Sequence, residues 1–255
     1  MAATVHDVFL LFGDSVTEQS SDAGGLGQLL SAAYTRKVDV LNRGFSGYNT
    51  RWAIPILEQL LAKKTEQSHV PGVRLLIIWF GANDATIPAN FQHVPLAEFA
   101  DNLSTLVQLV TDPSSPYHSP QTKIVLITPP PVNTLQWGAY KASQEPPEEL
   151  ERSLDLTKTY AEKVKEVGLK EGVQVLDAWT ALWKAAGEVE GNLSRLSHDG
   201  LHLNADGYKV VYDELMKIIV DKHPELHYNK LQDVFIGFLD IDPVNYRQGL
   251  QKRQA

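Results

Sequence analysis

Apolar and polar positions follow one another along the chain in blocks that predict alternating strands and helices. The short apolar runs lack the period-two pattern of a half-exposed strand, which is typical of strands covered on both faces. Between these runs, apolar residues recur three and four positions apart, as on the buried face of an amphipathic helix. The predicted strands are 8–12, 38–41, 73–80, 123–128 and 173–176.

Helical periodicity covers most of the chain between the predicted strands. The predicted helices are 26–33, 50–64, 99–110, 148–170 and 205–219, with a helical turn at 181–186. The stretch 132–147 has no clear period and is expected to be an irregular excursion over the edge of the sheet. Strands that alternate with helices five times over predict an α/β fold. We expect three α/β/α layers, flavodoxin-like, around a five-stranded, mostly parallel sheet.

The alternation ends near residue 224, which divides the chain into a single domain, 1–224, and a C-terminal extension, 225–255. The extension contains the apolar run Phe235-Ile236-Gly237-Phe238-Leu239, which is too apolar for a disordered tail. We expect it to pack on its own domain or on a partner subunit, in a homodimer.

The first apolar run ends abruptly in Gly13-Asp14-Ser15. In an open α/β sheet, ligands bind outside the carboxyl ends of the strands, so Ser15 is a candidate nucleophile. A second interpretation is that Asp14 and Ser15 only cap the following helix. This stretch alone does not decide between them.

Composition excludes several classes of function. The formal net charge is −8, from 23 Lys plus Arg and 31 Asp plus Glu, which argues against nucleic acid or an anionic membrane as the main partner. The chain has no cysteine, so disulfides and thiolate catalysis are excluded. Residues 1–7 lack the basic region of a signal peptide, and no apolar stretch has membrane-spanning length, so a cytoplasmic protein is expected.

A serine nucleophile needs a base, usually a histidine oriented by a carboxylate. Asp199 and His202 are three positions apart in a loop before the last helix, which Asn204 is expected to cap. At this spacing the carboxylate can accept the Nδ1 proton while Nε2 faces Ser15. The sequence therefore predicts a catalytic triad of Ser15, Asp199 and His202.

An acyl-transfer site also needs donors for the oxyanion of the tetrahedral intermediate. The backbone amides of Ser15 and Gly44 and the side-chain amide of Asn83 all follow predicted strands. Because the carboxyl ends of parallel strands share one edge, we expect these three donors to form the oxyanion hole. Trp137, in the irregular excursion, is a candidate wall of the substrate pocket.

Four short blocks carry a family resemblance. Gly13-Asp14-Ser15, Gly44, Gly81-Ala82-Asn83-Asp84 and Asp199-Gly200-Leu201-His202 resemble, in order, the motifs of the SGNH, or GDSL-type, esterase and lipase family. The residues around the second and fourth blocks are similar to those of the isoamyl-acetate-hydrolysing esterase branch of this family. The resemblance covers about residues 8–222. It implies a serine esterase without metal or cofactor, acting on short-chain, acetate-type esters, with the residue roles given above.

Other interpretations stay open. His198 and His202 are four positions apart, a spacing that is also compatible with a metal site. A thioesterase, a lysophospholipase or a carbohydrate deacetylase would use the same residues, and a catalytically idle binding module could keep the same fold.

Overall fold

The computed structural model of the protein describes residues 6–253, so residues 1–5 of the N-terminal stretch lie outside it. Five parallel strands form one sheet in the order β2-β1-β3-β4-β5. The strands are β1 (Val8–Gly13), β2 (Asp39–Gly44), β3 (Val73–Trp79), β4 (Lys123–Ile127) and β5 (Gln174–Leu176). The predicted α/β fold and its five-stranded parallel sheet are confirmed.

Helices lie between the strands and after the last of them. They are α1 (Ser15–Glu18), α2 (Leu26–Ala33), α3 (Thr50–Leu60), α4 (Leu96–Thr111), α5 (Thr134–Ala142), α6 (Leu154–Glu171), α7 (Ala178–Ala185), α8 (Ala205–Lys222) and α9 (Tyr246–Gly249). Short 3-10 turns lie at Gln19–Ser21, Gln67–His69, Glu190–Arg195, Pro224–Leu226 and Phe238–Asp240. Within residues 6–253, no helix combines the length and apolarity needed to cross a bilayer.

The central strands are buried on both faces, which explains their continuous apolar runs. In β1, Phe9 and Leu11 face a core shared with α2, α7 and α8, whereas Leu10 and Phe12 face a second core shared with α3, α4 and α6. Because successive side chains point to opposite faces, every residue of such a strand is apolar.

The strand order places a crevice at the end of β1. From β1 the chain adds β2 on one side and β3 on the other, and Gly13 pairs with both Gly44 and Trp79. This reversal is a topological switch point, where ligands bind in doubly wound folds. The loops after β1, β2 and β3 therefore open at the same edge.

The region between β4 and β5 differs from its prediction. Residues 134–142, expected to be irregular, form α5, and the helix predicted over 148–170 begins only at Leu154. Helix α5 buries Trp137 alone, so no apolar stripe marks it in the sequence. Capping sets both starts, since Asn133 accepts from Gln136 N and Ser153 accepts from Leu156 N.

The C-terminal extension contacts its own domain beside α2. Val234 N donates to Arg36 O at 2.8 Å, and Lys37 Nζ lies 2.8 Å from Asp233 Oδ1. Farther along, Phe238 and Leu239 are 80% and 83% exposed. Packing of these side chains on a partner subunit stays a prediction.

Candidate active site

Ser15 is the first residue of α1, and Asp14 caps that helix. Asp14 Oδ1 accepts a hydrogen bond from Val16 N at 2.9 Å. As the first helical residue, Ser15 has an amide N–H without an intrahelical acceptor. The helix-cap interpretation therefore fits Asp14, while the Ser15 hydroxyl points elsewhere.

The Ser15 hydroxyl points to a histidine brought from the far end of the sequence. Ser15 Oγ lies 2.9 Å from His202 Nε2, and His202 Nδ1 lies 2.6 Å from Asp199 Oδ2. The second carboxylate oxygen, Asp199 Oδ1, accepts from the backbone amides of Leu201 and His202 at 2.9 and 2.8 Å. The structure thus joins Ser15, His202 and Asp199 in one hydrogen-bonded chain.

The carboxylate of Asp199 is arranged to stay ionised. Burial by itself would raise its pKa, but the hydrogen bond and charge of His202 and the two backbone amides together hold the pKa below its usual value. An ionised Asp199 accepts the Nδ1 proton, which leaves His202 Nε2 to accept the proton of Ser15. This is the tautomer that a general base requires.

Asn83 is held on both sides of its amide. Nδ2 donates to Tyr48 O at 2.8 Å, and Oδ1 accepts from Arg152 Nη2 at 2.8 Å. A primary amide nitrogen has two hydrogens, so one remains for a ligand. Asn83 lines the same cavity as Ser15 and His202, as the predicted oxyanion hole requires.

Gly44 does not reach this cavity, which corrects its predicted place in the oxyanion hole. Its amide N–H donates to Asn42 Oδ1 at 2.8 Å, and a Cβ at this position would lie 2.0 Å from Glu18 N. Gly44 is a glycine because β2 passes close to the backbone of α1. Its amide is already satisfied inside the fold.

Gly47, three residues later, lines the cavity instead. Its φ of +81° lies in the left-handed region that favours glycine, and none of the described residues accepts from its amide N–H. Gly44 and Gly47 are only three positions apart in the sequence. The position of Gly44 after a predicted strand did not reveal that Gly47 is the one that lines the cavity.

The cavity above Ser15 has a volume of about 330 Å³ and a mostly polar rim. Trp137 forms part of its wall, with its ring centroid 6.0 Å from that of His202, so the predicted pocket residue lies at the site. Polar side chains at the rim include Gln19, Ser46, Gln92, Tyr140, Lys141, Gln144 and Glu148.

Two charged residues at the back of the cavity were not predicted. Glu151 and Arg152 are each 5% exposed and form an ion pair. Burial lowers the pKa of Arg152 to about 10, against the attraction of Asp14 and Asp199. In the sequence these residues lie in a charged stretch, 148–152, at the start of the helix predicted over 148–170.

Two buried acids close to the site, Asp14 and Asp84, have raised pKa values, whereas the pKa of Asp199 is lowered. Burial raises the pKa of Asp14 to about 6, opposed by the Val16 amide and by the charges of His202 and Arg152. Burial also raises the pKa of Asp84 to about 7, although Asp84 Oδ1 accepts from Thr50 N at 2.9 Å and Thr50 Oγ1 at 2.5 Å.

The spacing of His198 and His202 left a metal site open in the sequence. Across residues 6–253, no three His, Cys, Asp or Glu side chains are grouped so that they could hold a metal ion. The backbone of His198 closes the loop that carries Asp199 and His202, since its N–H donates to His202 O at 2.8 Å.

The chain is similar to proteins of one family over most of its length. Residues 11–210 match the GDSL-like lipase/acylhydrolase family. The chain is 38% identical over 215 residues to the isoamyl acetate-hydrolyzing esterase 1 homolog of Mus musculus, covering 84% of this chain and 81% of the relative. It is 35% identical over 246 residues to the isoamyl acetate-hydrolyzing esterase of Saccharomyces cerevisiae, covering 92% and 95%.

The fold also has solved counterparts. The lipase/acylhydrolase of Enterococcus faecalis superposes with a TM-score of 0.57 at 24% identity, covering 89% of this chain and 98% of that one. At this identity the likeness supports the fold alone. Because the family match spans residues 11–210 and both relatives align with more than four fifths of the chain, the protein belongs to the GDSL-like lipase/acylhydrolase family and is a hydrolytic esterase.

Proposed function

We propose that the protein hydrolyses short-chain, acetate-type esters of small alcohols through an acyl-enzyme on Ser15. The observation that carries this proposal is the chain of hydrogen bonds from Asp199 through His202 to Ser15 Oγ, which ends in a cavity of about 330 Å³. A cavity of this volume suits a small ester. The names of the mouse and yeast relatives, which refer to hydrolysis of isoamyl acetate, point the same way.

In the first half-reaction, His202 Nε2 accepts the proton of Ser15 Oγ as that oxygen attacks the ester carbonyl carbon. The amides of Ser15 and Gly47 and the free Nδ2 hydrogen of Asn83 donate to the resulting oxyanion. The carbonyl re-forms, the bond to the alcohol oxygen breaks, and the imidazolium returns its proton to the leaving alcohol. Asp199 holds the imidazole and stabilises its charge.

In the second half-reaction, water replaces the alcohol. His202 accepts a proton from the water as it attacks the acyl carbon, a second tetrahedral oxyanion forms, and the proton passes to Ser15 Oγ as the acid leaves. Trp137 beside His202 would limit the size of the acyl group. No metal or cofactor is required in this scheme.

A carbohydrate deacetylase is the second candidate, because the cavity rim carries polar side chains that could hydrogen-bond a hydroxylated alcohol. The thioesterase and lysophospholipase alternatives have no comparable observation in their favour.

A substrate panel tests the proposal. It compares 4-nitrophenyl acetate, butyrate and octanoate, isoamyl acetate, an acetylated xylose and acetyl-CoA. We expect the highest kcat/KM on acetates, with Ser15 labelled by an organophosphate. Ser194→Ala, at an exposed serine, is the matched control and should keep full activity and labelling. Absence of both hydrolysis and labelling would favour an idle binding module, whereas a preference for octanoate would contradict the short-chain assignment.

A further inference from the structure

Arg152 lies directly behind Asn83 and is almost completely enclosed. Arg152 Nη2 donates to Asn83 Oδ1 at 2.8 Å, and Arg152 Nε donates to Ala82 O at 3.1 Å. The guanidinium therefore donates hydrogen bonds to two consecutive residues of the loop that follows β3. Its fork geometry makes this double contact specific to arginine.

Two further contacts fix Arg152 itself. Arg152 Nη1 pairs with the carboxylate of Glu151, and the guanidinium carbon lies 5.2 Å from the ring centroid of Trp137. Glu151 in turn accepts from Trp137 Nε1 at 3.3 Å, and its backbone oxygen accepts from Ile87 N at 2.9 Å. The arginine is thus held from several sides before any substrate arrives.

The consequence for Asn83 is a single orientation of its amide. A flipped amide would place the NH₂ group against the guanidinium, donor to donor, and the amide oxygen against Tyr48 O, acceptor to acceptor. Both contacts would be repulsive, and a buried polar group without a partner costs about 1–3 kcal/mol. The observed orientation keeps the second Nδ2 hydrogen available to the cavity.

The charge of Arg152 adds a second effect. Hydrogen bonds polarise one another in series, so a cation on Asn83 Oδ1 makes the Nδ2–H group a stronger donor. An oxyanion gains more from such a donor than the neutral ester carbonyl does, because the negative charge develops only in the transition state.

We infer that Arg152 is a positioning residue for ester hydrolysis: it locks and polarises the Asn83 amide so that one N–H is directed at the oxyanion. This inference rests on the proposed serine-esterase function. A purely structural role is the alternative, in which Arg152 ties the segment before α6 to the domain and its loss only destabilises the fold.

A double-mutant cycle separates these roles. The variants are Arg152→Gln, Asn83→Ala and their combination, assayed for kcat and KM on the best acetate of the panel. Removing one oxyanion donor typically costs about 10²–10³ in kcat, which we expect for Asn83→Ala. For Arg152→Gln we expect about a 10- to 100-fold loss in kcat with KM changed less than about threefold.

The decisive value is the effect of Arg152→Gln when Asn83 is already alanine. If Arg152 acts through Asn83, this effect falls below about threefold, because the group that it positions is gone. The same loss in both backgrounds, or a change in KM alone, would overturn the inference. Arg51→Gln is the matched control, since Arg51 pairs with Glu98 on the surface and should leave kcat unchanged.

Folding is monitored by the melting temperature of each variant. If Arg152→Gln does not fold, Glu151→Gln replaces it in the cycle. It weakens the hold on the guanidinium, so its smaller kcat loss should also disappear in the Asn83→Ala background, and a loss that persists there counts against the inference.

Failure of the proposed function has a different signature. A wild-type protein that hydrolyses no ester contradicts that function, and an Asn83→Ala variant with full activity contradicts the oxyanion role. Loss in Asn83→Ala with none in Arg152→Gln contradicts only the role of Arg152.

Discussion

The cavity has two walls of different construction. The triad wall consists of Ser15, Asp199 and His202, on short loops whose polar atoms bond one another and the local backbone. The arginine wall consists of Trp137, Glu151 and Arg152, from α5 and the segment before α6, and holds a buried ion pair. The triad wall carries the proposed nucleophile, base and orienting acid, whereas the arginine wall lines the cavity and contacts the Asn83 amide.

The two walls differ in how easily they can be recognised from the sequence. The triad wall depends on residue types at fixed spacing after strands, which a sequence displays directly. The arginine wall depends on contacts between distant positions, such as Arg152 and Asn83, which are 69 residues apart. Its charged residues resemble any solvated helix start until the fold buries them.

The largest effect is expected for substitution of Ser15, the proposed nucleophile in the triad wall. Ser15→Ala should lower kcat by about 10⁴-fold or more, because no other group takes over the attack. The Ser15 side chain makes one hydrogen bond, to His202, so the melting temperature should change by only a few degrees. Rates are measured on 4-nitrophenyl acetate, and a variant with one tenth of wild-type activity would contradict the assignment.

The next effect tests the orienting acid. Asp199→Asn should lower kcat by about 10³- to 10⁴-fold, because an amide can donate to Nδ1 and stabilise the wrong tautomer. In the wild type, the lowered pKa of Asp199 keeps its carboxylate ionised throughout the pH range 5–8. A pH–rate profile of both proteins over that range provides the check. Equal kcat values for the wild type and Asp199→Asn at pH 8 would contradict the role of Asp199 as the orienting acid.

A smaller effect sharpens the role of the arginine wall. Trp137→Leu removes the ring beside His202 and beneath Arg152, so the cavity widens. We expect kcat/KM on acetate to fall about tenfold while the ratio of butyrate to acetate hydrolysis rises, since one extra or missing methylene in a pocket changes discrimination by about 10- to 200-fold. An unchanged acetate-to-butyrate ratio would remove Trp137 from the acyl pocket.

The smallest effect concerns the pH dependence of stability and the buried acid Asp84. The folded pKa of Asp84, raised by burial to about 7, exceeds its unfolded value, so the folded state binds this proton more tightly. Its contribution to stability is therefore complete below about pH 4 and is lost as the pH rises through 7.

Asp84→Asn removes this titration. Between pH 4 and 7, the free energy of unfolding of the wild type should fall relative to the variant by up to about 1.4 kcal/mol per pH unit. Urea unfolding at pH 4, 5.5 and 7 measures the difference. Parallel stability profiles for the two proteins would contradict the buried titration of Asp84.

Much of the fold was predictable because apolar patterning is read locally. Buried strands and the helices with one apolar stripe were found, with ends that shifted by a few residues, as in α3, which stops at Leu60 rather than near 64. Helix α5 was missed because it buries only Trp137. Its start depends on the Asn133 cap, and isolated caps also occur in turns.

For the site, spacing and strand ends were enough to propose Ser15, Asn83, Asp199 and His202, which the fold brings to one cavity. They were not enough to identify the glycine that lines this cavity after β2. The sequence prediction named Gly44, and only the path of the chain shows that the Gly44 amide is taken by Asn42 while Gly47 lines the cavity.

By itself, the sequence determined the parallel α/β sheet, the loops that converge at its edge and the residues able to form a triad. These follow from periodicity and from short-range spacing, which act within a few turns of chain. Only the tertiary structure decided which of Gly44 and Gly47 lines the cavity and that Arg152 is buried against Asn83. Those outcomes depend on packing between distant segments, where a shift of one or two ångströms makes or breaks a hydrogen bond.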